Sequence, residues 1–223
     1  SDPIDQAGLD ILGQVAQVDE RIGLSPEELK SIIGDYDALM IRSGTQVTAD
    51  VIEAADRLRI IGRAGVGVDN VDVPAATQRG VLVVNSPEGN TIAAAEHALA
   101  MLLSVSRHVP QAHGSMRSGA WDRKKYVGNE LYKKILGVVG LGKIGSHVAR
   151  VAKAMGMEVI AFDPFISTER AQQMQVRLTT LEALFQQADY ITLHIPRTPD
   201  TENLVNADLL RTMKSTARIV NCA

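Results

Sequence analysis

The stretch Ile135-Leu136-Gly137-Val138-Val139-Gly140-Leu141-Gly142-Lys143-Ile144-Gly145 decides the fold. An apolar run leads into Gly-x-Gly-x-x-Gly, and a helical pattern follows over Ser146 to Met155. A second apolar run, Val159-Ile160-Ala161-Phe162-Asp163, ends in a carboxylate about twenty residues later. Strand, glycine turn, helix, strand and acid is the order that a dinucleotide-binding unit requires. Gly140 allows the tight turn out of the strand, Gly142 lets the backbone approach a pyrophosphate, and Gly145 lets the helix pack closely on the sheet. The helix N-terminus then offers unpaired N–H groups and a positive dipole end to the phosphates. Asp163 is placed to accept from both ribose hydroxyls, and its charge repels a 2′-phosphate, which predicts NAD rather than NADP.

Downstream, the alternation continues. Helix 169–174, a strand near 176–178, helix 181–187 capped by Thr180, strand 190–194, helix 207–213 and strand 218–220 complete one dinucleotide half-fold and begin its second half. Upstream, the same alternation runs through helix 5–12, a weak strand 15–18, a helix opened by Ser25-Pro26-Glu27-Glu28, strand 38–42, helix 49–55, strand 58–62, helix 71–78 and strand 81–84. Strands separated by helices of this length imply a parallel sheet. Asn85-Ser86-Pro87-Glu88-Gly89-Asn90 reads as a hinge, and 92–107 as a long buried helix with a face of small and apolar residues. The basic stretch 110–134 lacks a clear period and reads as a protruding arm or an interface. The expected fold class is α/β with two mainly parallel sheets. The expected domains are a substrate-binding domain over 1–89 and a NAD-binding domain over 90–223, with 108–134 as a dimerisation arm. The chain opens on a loop and helix with no strand in front, and stops at Ala223 directly after a strand. Both ends are expected to be truncated.

Composition excludes several function classes. The chain has 223 residues, and its formal net charge of −3 gives no footing for nucleic acid or an anionic membrane. No apolar run approaches a membrane span, and Ser1-Asp2-Pro3-Ile4 is not a signal peptide. A single cysteine, Cys222, excludes an internal disulfide and any multi-cysteine metal site, so a reducing cytoplasm is the expected location. The histidines His97, His108, His113, His147 and His194 scatter without metal-ligand spacing, so no metal is expected.

Two loops of the first half carry candidate anion-binding chemistry. Arg42-Ser43-Gly44-Thr45 and Gly62-Arg63-Ala64-Gly65-Val66-Gly67 each follow a strand of the same parallel sheet. Ligands sit at the carboxyl ends of such strands, and two arginines beside glycine backbone can hold a carboxylate or phosphate by charge-assisted bonds. Arg123-Lys124-Lys125 in the arm has the pattern of a solvated charge run.

Gly62 to Asn70, Asn85 to Asn90, Val139 to Gly145, Phe162-Asp163-Pro164, Leu193 to Pro196 and Val220 to Ala223 resemble the D-isomer-specific 2-hydroxyacid dehydrogenases, in order along the whole chain. The resemblance implies a flavodoxin-like substrate domain, a Rossmann domain, NAD in the cleft between them, and a homodimer or homotetramer built through residues 91–134. It places Val66 at the nicotinamide end and Gly140, Gly142, Lys143, Ile144 and Gly145 at the pyrophosphate. Asp163 then falls on the adenosine ribose, and Ile195, Cys222 and Ala223 line the cofactor. Arg42, Ser43, Arg63 and Gly65 match substrate-binding positions, and Arg123 reaches the neighbouring subunit's substrate. Arg42-Ser43, Trp121 to Lys125 and the Asn221-Cys222-Ala223 ending point within the family to oxidation of D-3-phosphoglycerate to 3-phosphohydroxypyruvate, in serine biosynthesis. The alternatives are a glyoxylate/hydroxypyruvate or D-lactate enzyme and a non-catalytic NAD-sensing corepressor. No catalytic residue is expected in this chain, because the family's arginine, glutamate and histidine fall beyond Ala223. Residues 1–223 alone are therefore expected to be inactive.

Overall fold

The structure is a computed structural model that describes all residues from 1 to 223. The chain forms two compact units, Ser1–Asn90 and Thr91–Ala223.

The first unit contains α1 (Gln6–Leu12), α2 (Pro26–Ile32), β1 (Ala38–Ile41), α3 (Ala49–Glu53), β2 (Ile60–Arg63), α4 (Val73–Gln78) and β3 (Leu82–Asn85). The sheet is parallel in the order β1-β2-β3, with Ala38 opposite Ile60 and Ile60 opposite Leu82. The start of α2 is fixed locally. The Ser25 side chain accepts from Glu28 N–H, and the Glu28 carboxylate accepts from Ser25 N–H, so two orphan donors are satisfied reciprocally. Leu29, Ile33, Val51, Ile52 and Ala76 pack on Ile41 and Ile61 to bury one face of the sheet. An apolar groove runs along β1, lined by residues from Ala16 to Ile22 with Leu39 and Met40.

Residues 15–18 do not form the expected strand. Val15 is 85% exposed, and β1 pairs only with β2. An apolar run becomes a strand only when a neighbour takes up its backbone groups, and here none does.

The second unit contains α5 (Thr91–Arg107), α6 (Val109–Arg117), β4 (Ile135–Val139), α7 (Lys143–Ala154), β5 (Glu158–Phe162), α8 (Thr168–Gln173), β6 (Arg177–Leu178), α9 (Leu181–Gln187), β7 (Tyr190–Leu193), α10 (Ala207–Arg211) and β8 (Arg218–Asn221). All five strands are parallel, in the order β6-β5-β4-β7-β8. The order reverses at β4, which places a ligand crevice at the carboxyl ends of β4 and β7. Alternate residues of β4 feed opposite layers. Leu136 and Val138 pack with Ala98 and Leu102 of α5 and Val148 and Ala149 of α7. Val139 packs with Leu184 and Phe185 of α9. Both faces are covered, which is why these strands are continuous apolar runs rather than alternating ones.

The stretch 110–134 is more regular than its sequence suggests. It opens inside a nine-residue helix, α6, and carries a 3-10 turn over Arg123–Tyr126. His108, at φ 53°, breaks α5 from α6, and Pro110 sits in the first turn of α6, where its missing N–H costs nothing. α6 buries none of its residues, so it has no apolar stripe for a period to reveal.

Candidate functional site

In the second unit the glycine turn is held from three sides. Gly140 has φ 92°, a left-handed value open to glycine, and a Cβ there would lie 2.6 Å from His194 O and 2.8 Å from Ile195 Cγ2. Its N–H donates to Phe162 O at 2.8 Å. Gly145 is buried, and a Cβ on it would collide with the Gly140 carbonyl oxygen. A Cβ on Gly142 would meet nothing within 4 Å, and no side chain caps α7. The first turn of a twelve-residue helix therefore directs uncapped N–H groups into open space beside Lys143 and Ile144. A pyrophosphate fits there, since the dipole and the N–H groups of a helix start that no side chain caps both favour an anion.

Asp163 closes the same loop. Its Oδ2 accepts from Leu141 N–H at 2.7 Å, and its Oδ1 accepts from Phe165 N–H at 2.8 Å. The carboxylate that the sequence assigns to the ribose is thus also a strut under the glycine turn. A carboxylate has about four lone-pair sites, so two remain for ribose hydroxyls.

Ile195 follows β7 and backs Gly140. Cys222 and Ala223 follow β8. Burial pushes the Cys222 thiol above its ordinary pKa, and its side chain packs against the α5 layer. The thiolate needed for nucleophilic chemistry is disfavoured there. His194 lies 2.9 Å from Thr192 Oγ1 through Nε2, and burial lowers its pKa from 6.5 to about 4. The unfolded chain takes up this proton as pH falls through 6.5, whereas the folded chain resists it until about 4. Stability from this group is therefore complete above 6.5 and is lost as pH falls from 6.5 toward 4. Urea denaturation across that range is expected to show the loss, and His194→Gln is expected to flatten it.

In the first unit, Arg42, Ser43, Arg63, Gly65 and Val66 line one pocket of about 560 Å³ with Ser86 and Asn90. Arg42 and Arg63 emerge at the carboxyl ends of the paired strands β1 and β2. The Arg42 side chain is exposed, while that of Arg63 is 11% exposed. Arg63 Nε donates to Asn70 Oδ1 at 2.9 Å, and Arg63 Nη2 is 3.8 Å from Asp69. A Cβ on Gly65 would sit 2.6 Å from Arg63 Nη1, so glycine makes room for the guanidinium. Gly65 N–H is spent on Arg63 O at 2.8 Å. The N–H groups of Arg42 and Thr45 are spent on the Asp2 carboxylate, at 2.6 and 3.2 Å. Those three N–H groups are therefore not available to a ligand in this pocket, whereas both guanidinium groups lie in its wall. The apolar groove along β1 includes neither arginine, and we assign it no part in the chemistry.

The roles of Asp2 and Asn70 are absent from the sequence reading. Arg123 sits on the exposed 3-10 turn, next to Trp121, which is 71% exposed. No group of three or more His, Cys, Asp or Glu side chains could hold a metal ion. No helix is long and apolar enough to cross a membrane.

Comparison with known proteins adds the family. Residues 99–223, more than half of the chain, match the D-isomer specific 2-hydroxyacid dehydrogenase, NAD binding domain. The chain is 63% identical over its full length to a D-3-phosphoglycerate dehydrogenase of Synechocystis sp., covering 40% of that protein. It is 48% identical to the D-3-phosphoglycerate dehydrogenase of Methanocaldococcus jannaschii, covering all of this chain and 43% of that one. It thus spans about two fifths of these relatives' length. Among solved structures, a Thermus thermophilus protein aligns with a TM-score of 0.89 at 33% identity, over 97% of this chain and 70% of its own. This chain belongs to the D-isomer-specific 2-hydroxyacid dehydrogenase family, with an NAD-binding domain in its second half.

Proposed function

We propose that the protein containing this chain oxidises D-3-phosphoglycerate to 3-phosphohydroxypyruvate with NAD, a step of serine biosynthesis. The observation that carries the reading is the convergence of Arg42 and Arg63 in one pocket at the carboxyl ends of β1 and β2. The identity of 63% to a D-3-phosphoglycerate dehydrogenase supports it. A substrate with a phosphate at one end and a carboxylate at the other offers an anion to each guanidinium, and planar forks suit both groups.

The residues present fit NAD. The α7 N-terminus with Gly142, Lys143 and Ile144 would hold the pyrophosphate, and Asp163 the adenosine ribose. In the same unit, Ile195, Cys222 and Ala223 would line the remainder. When bound, the nicotinamide supplies a two-electron acceptor for the substrate C2–H bond. Arg42 and Arg63, with Ser43 and Gly65 in the pocket wall, orient the substrate's charged ends and leave its hydroxyl to be deprotonated. The family resemblance assigns that base, its glutamate partner and a further arginine beyond Ala223.

Exposed apolar side chains on α5, α6 and the arm, among them Met101, Val109, Met116, Trp121 and Val127, support assembly as a homodimer or homotetramer through residues 91–134. In such an assembly Arg123 reaches the neighbouring subunit's substrate.

The test is Arg42→Ala in the full-length protein. Loss of one charge-assisted bond is expected to raise KM for D-3-phosphoglycerate by about ten- to a hundredfold. KM for a non-phosphorylated 2-hydroxyacid is expected to change little. An unchanged KM for the phosphorylated substrate overturns the reading in favour of a D-lactate or glyoxylate/hydroxypyruvate enzyme.

A further inference from the structure

One side chain ties together the two loops that carry the arginines. Asn70 is 4% exposed. Its Oδ1 accepts from Arg63 Nε at 2.9 Å. Its Nδ2 donates to Arg42 O at 2.7 Å and to Thr45 O at 2.6 Å. Both amide protons and the amide oxygen are therefore committed to the elements that present the arginines. Its main chain is anchored too, since Asn70 O accepts from Val47 N–H at 2.8 Å.

The chemistry requires an amide here. A carboxylate supplies acceptors only, and a hydroxyl supplies one donor. A carboxamide supplies an acceptor for Arg63 and two donors for the opposite loop from a single rigid plane. With Nε taken, the guanidinium plane of Arg63 is fixed; Nη2 lies 3.8 Å from the Asp69 carboxylate, and Nη1 is the group left to meet a ligand. The position of the Arg42 backbone is set by the same side chain. A two-point anion site depends on that spacing, because a misplaced fork loses its bidentate geometry.

We propose that Asn70 is a positioning residue of the substrate site: it touches no substrate, but fixes the plane of Arg63 and its spacing from Arg42. The proposal rests on the reading of this pocket as the substrate's anion site.

The test uses the full-length protein, with KM and kcat for D-3-phosphoglycerate, Kd for NADH and the unfolding temperature as readouts. Asn70→Ala is expected to raise KM by about tenfold or more, with NADH affinity changed by less than about twofold. In an Arg63→Ala background the same substitution is expected to add less than about twofold, since its effect passes through Arg63. Arg63→Lys keeps the charge but cannot take the Nε bond, and it leaves the Asn70 ties to Arg42 and Thr45 in place. It is expected to raise KM as Asn70→Ala does, and it keeps the proposal testable if Asn70→Ala fails to fold. An Arg63→Lys protein with wild-type KM overturns the proposal. So does an Asn70→Ala protein that loses unfolding temperature but keeps KM while Arg63→Ala raises it, because Asn70 is then a fold tie alone. If Arg63→Ala leaves KM unchanged as well, it is the pocket reading that fails.

Discussion

Gly145→Val is expected to abolish dinucleotide binding, with NADH affinity falling by about a hundredfold or more, roughly 2.7 kcal/mol. The reason is a backbone contact. Gly145 is buried, and a Cβ would run into the Gly140 carbonyl oxygen with Val138 Cγ1 3.3 Å behind it. Neither atom can move cheaply. Gly140 is held by its own N–H bond to Phe162 O and by the close backbone of His194. Val138 has 0% exposure in the core. The helix must lift away from the turn, and the uncapped N–H groups leave the position a pyrophosphate needs. Fluorescence titration with NADH measures the loss. Retained nanomolar-to-micromolar affinity, unchanged from the parent, would sink the close-packing argument. The Arg42 pocket lies in the other unit, so phosphate affinity there is expected to persist.

The second large effect concerns stability, with a built-in rescue. Leu184 is 0% exposed, and Leu184→Ala is expected to cost about 2–5 kcal/mol through lost burial and a residual cavity. Gly137 lies across from it in β4. A Cβ on Gly137 would press on the Leu184 Cδ2 methyl, with Leu184 Cγ at 2.8 Å and Ala188 Cβ at 3.2 Å. Gly137→Ala alone is expected to cost about 1–3 kcal/mol by overpacking. Together the two changes put a methyl where one was removed. The double variant is expected to be more stable than the sum of the singles by at least about 1 kcal/mol. Urea denaturation followed by circular dichroism reads this directly, and strict additivity would show that the two residues do not share the space.

What the sequence revealed was local chemistry. The turn at Gly140 and the helix start at Lys143 can be read because each is set by residues a few positions apart, whereas the bond from Leu141 N–H to Asp163 spans 22 residues. The caps at Ser25 and Thr180 were legible for the same reason, and both side chains accept from a backbone N–H three residues on. Residues 15–18 misled because strand formation needs a partner that the run itself does not contain. α6 was missed because a helix that buries none of its residues leaves no apolar stripe. Asn70 and Asp2 were missed because they act across the chain. Asn70 bonds carbonyls 28 and 25 residues away, and Asp2 bonds an N–H 40 residues away. Each is a polar residue in a loop, and nothing beside it in sequence marks the segment it will meet.

The strut made by Asp163 bears on cofactor engineering. The usual route to NADP acceptance is to remove this carboxylate, so that its charge no longer repels a 2′-phosphate. In this chain the same group also receives the N–H groups of Leu141 and Phe165. Deleting it to alanine would discard the repulsion and loosen the glycine turn in one stroke, so a weak NADP enzyme would say nothing about phosphate fit. A redesign has to separate the two jobs. A neutral acceptor such as asparagine at 163 keeps only one of the two loop bonds, because its amide nitrogen donates, and the cation for the 2′-phosphate has to come from a neighbouring position.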